Sequence, residues 1–129
     1  MGVDPVMEQN NAIYREQSLL VQELAEKSDC VIVGRSADYI LRDKDPLRLF
    51  IYADMESRME RCRKRAPEQE HFTDKELRRH IQDVDKKRSK YYQFFTGQTW
   101  GDKLNYDLCI NTSGADIEAL VKVIAKLVK

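Results

Sequence analysis

No Gly-x-x-x-x-Gly-Lys-Ser/Thr segment occurs anywhere in the 129 residues. The five glycines are Gly2, Gly34, Gly97, Gly101 and Gly114, and none opens a backbone loop that could cradle a phosphate. Net charge is also missing: 22 Lys and Arg balance 22 Asp and Glu. Bulk attraction to nucleic acid or to a membrane surface is therefore not expected, and any anion site must be a local cluster. No apolar run approaches the ~20 residues of a membrane span, and MGVDPVMEQNN has no basic-then-apolar signal pattern. Cys30, Cys62 and Cys109 form no Cys-x-x-Cys pair. Two of them sit in apolar runs, which suggests small buried hydrophobes in a reducing, cytoplasmic setting rather than a disulfide scaffold. His71 and His80 share no metal-ligand spacing with each other or with a cysteine, so no metal site is expected. No Gly-x-Ser-x-Gly elbow marks a hydrolase.

What is present is an alternation of helical and strand-like patterns. Residues 8–27 carry Ile13, Leu20, Val21 and Leu24 near one helical face. Cys30–Val33 is an apolar run without polar alternation, the pattern of a strand covered on both faces, and it ends at Gly34-Arg35. Ser36–Leu41 reads as a short helix. Leu47–Ala53 is a second apolar, β-rich run. Asp54 caps the next helix, whose Met55, Met59 and Cys62 make its buried face, and Pro67 in the PEQEH segment stops it. Thr73-Asp74-Lys75-Glu76 has capping-box form and starts a helix to about Tyr92, with Leu77, Ile81 and Val84 as its stripe. Tyr106–Asn111 is a third strand, and Ile117, Leu120, Val121, Ile124, Leu127 and Val128 line a last helix. Strands alternating with helices predict an α/β fold with about three parallel strands. Residues 7–129 read as one domain, and residues 1–6 as junction sequence.

Ligands of open α/β sheets sit beyond the carboxyl ends of the strands. Arg35 stands at such an end. Arg58, Arg61 and Arg65 recur at i, i+3 and i+7. That spacing fits either a row of guanidinium forks for phosphate or a solvated face paired with Glu56 and Glu60. Helical spacing carries the Leu77 stripe on to Arg88, which puts an arginine on the inward face. It then needs a carboxylate, such as Asp85 one turn back, or an anionic ligand. Six of the eleven aromatics fall between residues 91 and 106. They suit packing under a loop or the stacking of a base.

With these residues in view, the chain resembles the cytidylate kinase-like family of P-loop nucleoside monophosphate kinases. The resemblance is carried by ELAEKSDCVIVGRSADYILRD, LRLFIYADMESRMERC, DVDKKRSKYYQFFTGQTWGDKLNYDLCINTS and the amphipathic terminal helix. It implies a P-loop NTPase-like parallel sheet flanked by helices, here truncated, and magnesium-dependent transfer of the ATP γ-phosphoryl group to CMP or dCMP. It further implies that Arg35, Asp38 and Asp85 bind the acceptor. By the same resemblance Arg58, Arg61, Arg65 and Arg88 surround the transferred phosphoryl group, and Asn111, Thr112 and Ser113 lie near the adenine. Ile81 stands where cytidylate kinases carry a further arginine, which leaves the acceptor base open. The family's first strand and phosphate loop are not in these residues, so neither ATP nor magnesium is expected to bind tightly to this chain. In the family that strand lies between the equivalents of Cys30–Val33 and Leu47–Ala53. Here those two are expected to pair directly, or another copy to fill the gap through a homo-oligomer or strand exchange. A non-catalytic nucleotide-binding or interaction domain is the alternative.

Overall fold

The computed structural model describes residues 5–65 and 71–128. Of residues 1–6, read as junction sequence, 1–4 lie outside the described residues, as does the helix stop at Pro67, while Pro5 and Val6 begin the first helix. The elements are, in order, α1 (Pro5–Lys27), α2 (Ala37–Ile40), a 3₁₀ turn (Arg42–Lys44), β1 (Leu49–Tyr52), α3 (Met55–Arg65), α4 (Asp74–Thr96), a second 3₁₀ turn (Lys103–Asn105), β2 (Leu108–Asn111) and α5 (Ile117–Ala125). The architecture is α/β, with a two-stranded parallel sheet and flanking helices. No described helix is long and apolar enough to cross a membrane. The described residues fall into two compact units. One runs to Pro46 and takes in Phe95–Gly97; the other comprises Leu47–Phe94 and the residues from Gln98 onward.

In the first unit Val21, Ala37 and Leu41 form a small core, with Ala25, Ile32 and Ile40 packed against it. Tyr14 stacks on Phe95 with ring centroids 4.3 Å apart. Of the apolar face expected along α1, only Val21 is buried, and Ile13, Leu20 and Leu24 are exposed. Cys30–Val33 is not a strand. The segment makes no ladder, so the expected third strand and its direct pairing with the next apolar run are not formed. A β-strand exists only where a neighbour accepts and donates its backbone hydrogen bonds, and none of the described residues does so here. Val31 and Val33 are consequently 93% and 86% exposed. The same lack of cover corrects the reading of the thiols: Cys30 and Cys109 are exposed rather than buried.

In the second unit β1 and β2 pair in parallel, Leu49 with Leu108 through Tyr52 with Asn111. Arg48 and Asp107 set this register at the strand starts. The amides of Asp107 and Leu108 donate to the Arg48 carbonyl, and the Arg48 amide donates to Asp107 Oδ2 at 2.7 Å. Phe50 projects into an aromatic cluster with Trp100 and Tyr106, at centroid distances of 5.4 and 5.0 Å. Gly101 closes against the same ring. Its φ is +84°, a conformation that favours glycine, and a Cβ there would meet the Phe50 ring at a tight 3.3 Å. These contacts support the packing alternative for the aromatic run.

Helices α3 and α4 start as their capping residues dictate. The Ser57 amide donates to Asp54 Oδ1 at 2.7 Å. Thr73 and Glu76 exchange reciprocal backbone-to-side-chain bonds of 3.1 Å each. The two helices then bury Met59, Leu77 and Ile81 together, with Met55, Cys62 and Phe72 around them. The terminal stripe fares differently: Ile117, Val121, Leu127 and Val128 are all exposed.

Candidate functional site

The carboxyl ends of β1 and β2 lead directly into the residues of interest, because in parallel strands both chains leave the sheet on the same side. Asp54 follows β1 and begins α3. Asn111 ends β2 and begins the turn through Thr112 and Ser113. Hydrogen bonds close these segments on one another. The Thr112 amide and its Oγ1 both donate to the Tyr52 carbonyl, at 2.7 and 2.9 Å. The Asp54 amide donates to Ser113 Oγ at 2.7 Å, and the Ser113 amide to Asn111 Oδ1 at 3.0 Å.

The arginines of α3 are not simply a solvated face. Arg58 and Arg61 are both half-buried, and neither pairs with Glu56 or Glu60 among the contacts seen. Arg58 Nη1 lies 2.7 Å from Asp85 Oδ2 on α4. Arg61 donates from Nη1 to Thr112 Oγ1 at 2.9 Å and from Nη2 to the Thr112 carbonyl at 2.6 Å. Arg65 is exposed at the end of the helix. Arg63 bridges the ends of α3 and α4. Its Nη2 donates to the Phe72 carbonyl at 3.0 Å and to Asp74 Oδ1 at 2.8 Å. The capping box at Thr73 already placed Asp74 at a helix start, but nothing in the pattern paired it with residue 63.

Arg88 departs from its expected inward position. Its side chain is 62% exposed, and it meets Asp85 Oδ1 at 3.5 Å from the solvent side. The helical stripe turns outward here because α3 offers Arg58 rather than an apolar residue at this level of α4, and Asp85 takes the half-buried place facing it. Asp85 Oδ1 is shielded from solvent and accepts no hydrogen bond of ordinary geometry. Asp85 thus sits between two guanidinium groups, and the cluster presents more positive than negative charge.

Arg35 and Asp38 belong to the other unit. Arg35 is exposed with φ +60°, within a run of left-handed residues from Gly34 to Ser36. Such a conformation is costly for non-glycine residues and recurs at binding sites. Asp38 is half-buried in the first turn of α2.

Three carboxyl groups titrate below their ordinary values. In each case the chief cause is a backbone N–H held by the charged form: Ser57 for Asp54, Thr73 for Glu76 and Arg48 for Asp107. A carboxyl lowered in the folded state contributes stability that is complete above its unfolded value. That contribution is lost as pH falls through the lowered folded value. The urea midpoint should therefore be level near neutrality and fall below about pH 4. Asp54→Asn keeps a competent N-cap but does not titrate, so its midpoint should fall less steeply in acid. Equal slopes for the two chains would refute the assignment to Asp54.

The model of the cytidylate kinase-like family matches residues 4–114. The cytidylate kinase of Archaeoglobus fulgidus is 32% identical over 123 residues, which cover 95% of this chain and 66% of that protein. Among solved structures, the crystal structure of an uncharacterized protein from Eubacterium ventriosum matches with a TM-score of 0.74 and 29% identity. That match covers 96% of this chain and 66% of the other. The chain therefore spans 66% of the length of each of these two relatives. A family match over most of the residues, a curated relative and a shared fold converge on one conclusion: this chain belongs to the cytidylate kinase-like family.

Proposed function

We propose that this chain carries the acceptor and arginine-helix portion of a nucleoside monophosphate kinase with a P-loop NTPase-type fold, which transfers the γ-phosphoryl group of ATP to CMP or dCMP. The observation that supports it most directly is the Arg58–Asp85–Arg88 cluster, with distances of 2.7 and 3.5 Å, in a chain of this family. Phosphoryl transfer demands little covalent help from the protein. It needs in-line positioning and positive charge around the equatorial oxygens. In this reading Arg58, Arg65 and Arg88 supply that charge, with Arg61 in the same row. Asp85 orients Arg58 and Arg88; in the other unit, Arg35 receives the acceptor's phosphate, with Asp38 on the same edge. The turn Asn111–Ser113 lies on the side of the donor base. No Gly-x-x-x-x-Gly-Lys-Ser/Thr loop is in the sequence. Among the described residues, no three His, Cys, Asp or Glu side chains converge to hold an ion. These residues do not include the glycine-rich loop that would hold a magnesium–triphosphate complex.

The test is calorimetric titration of the chain with CMP and, separately, with Mg-ATP. Saturable binding of CMP with weak or no binding of Mg-ATP is the expected result, and Arg35→Ala should abolish most of the CMP signal. Failure of the native chain to bind CMP would overturn the assignment.

A further inference from the structure

Thr112 has unusually complete hydrogen bonding for a turn residue. It is 2% exposed. Its amide and hydroxyl both donate to the Tyr52 carbonyl, and its hydroxyl oxygen accepts from Arg61. Its own carbonyl accepts from Arg61 Nη2 and from the Ala115 amide. The partners come from the end of β1, from the second turn of α3 and from the turn itself, up to 60 residues away in sequence. The two terminal nitrogens of one guanidinium serve one residue, as a fork across its hydroxyl and carbonyl. A lysine could not reproduce that geometry with a single ammonium point charge.

We propose that Arg61 is a positioning residue rather than a direct phosphate ligand: its fork clamps the Asn111–Ser113 turn to α3, so that the turn and the arginines of α3 keep one fixed relation. The inference rests on the proposed function only in reading that turn as facing a nucleotide. Three observations carry it. Both terminal nitrogens already have short partners at 2.9 and 2.6 Å. The side chain is half-buried, whereas Arg65 one turn on is exposed. The Asp54–Ser113 bond closes a second link between the same segments, so the clamp belongs to a connected network rather than a chance contact.

Amide hydrogen exchange on the full chain tests the clamp without needing a ligand. Arg61→Lys and Thr112→Val should each speed exchange at Thr112 and Ser113 by about tenfold, the scale of a lost hydrogen bond to a charged group. Exchange at Leu77 and Ile81 on α4 should stay native, which separates local release from general unfolding. Thr112→Ser keeps the hydroxyl and carbonyl and should behave as native. The double variant Arg61→Lys/Thr112→Val should fall short of the sum of the two single changes, because both remove the bond from Arg61 to Thr112 Oγ1. CMP titration then separates the two roles of Arg61. A clamp lowers CMP affinity by a similar factor, about threefold to tenfold, in Arg61→Lys and in Thr112→Val. A phosphate ligand lowers it in Arg61→Lys alone, which would overturn the proposal. Unchanged exchange at Thr112 in Arg61→Lys would overturn it as well. If the native chain binds no CMP, the functional reading fails while the exchange experiment still decides the clamp.

Discussion

Leu77→Ala lowers the unfolding free energy of this chain by about 3 kcal/mol, within the ~2–5 kcal/mol usual for a fully buried leucine. Leu77 is 0% exposed, and with Val21 it is one of the largest fully buried side chains. It lies between α3 and α4, where Met59 and Ile81 enclose it and Met55, Cys62 and Phe72 complete the shell. Truncation loses the transfer free energy of the removed methyl groups and leaves a cavity. Two capped helices can close that cavity only in part. Domain stabilities are ~5–15 kcal/mol in total, so a loss of this size is a large share. Urea unfolding should show a lower midpoint with an unchanged slope. Val121→Ala is the matched control: Val121 is 58% exposed, and an effect within about 0.5 kcal/mol is expected there. A Leu77 loss no larger than that of Val121 would mean that α3 and α4 do not form the core of this unit.

Asp85→Asn is the second large effect, and it reads on function as well as on stability. Asp85 meets Arg58 at 2.7 Å and Arg88 at 3.5 Å. The side chains of Asp85 and Arg58 retain 24% and 30% of their exposure, so water screens the pair in part. The loss should sit near the low end for a hydrogen bond to a charged group, about 1–2 kcal/mol. The consequence for binding is larger. An amide of the same shape carries no charge to hold the two guanidinium groups, so Arg58 and Arg88 lose the group that orients them. CMP affinity should fall about tenfold or more, or ~1.4 kcal/mol and above. If affinity rises instead, Asp85 competes with phosphate for the arginines and does not position them. That outcome would remove Asp85 from the acceptor site.

The parts of the site legible in the sequence are those set by short-range geometry. The cap at Asp54 and the box at Thr73 and Glu76 act over three residues. They fix where α3 and α4 begin, and so which turn carries Arg58, Arg61 and Asp85. Within the two runs Leu47–Ala53 and Tyr106–Asn111, the stretches Leu49–Tyr52 and Leu108–Asn111 became strands. Less legible was which arginine does what. Arg58, Arg61 and Arg65 are equivalent by spacing, yet one meets a carboxylate, one clamps a turn and one is exposed at the helix end. The stripe ending in Arg88 looked continuous because helical period reports a face and not its neighbours.

By itself, then, the amino-acid sequence determined the starts of α3 and α4, the two paired strands and the family, since each depends on residues close along the chain or on a linear pattern. The tertiary structure alone decided three things. Cys30–Val33 forms no ladder, Arg88 turns to solvent, and Arg61 holds Thr112 across 51 residues. A strand requires a neighbour for its backbone groups, and a guanidinium takes the acceptors that folding brings within about 3 Å. Neither neighbour is written in the local sequence.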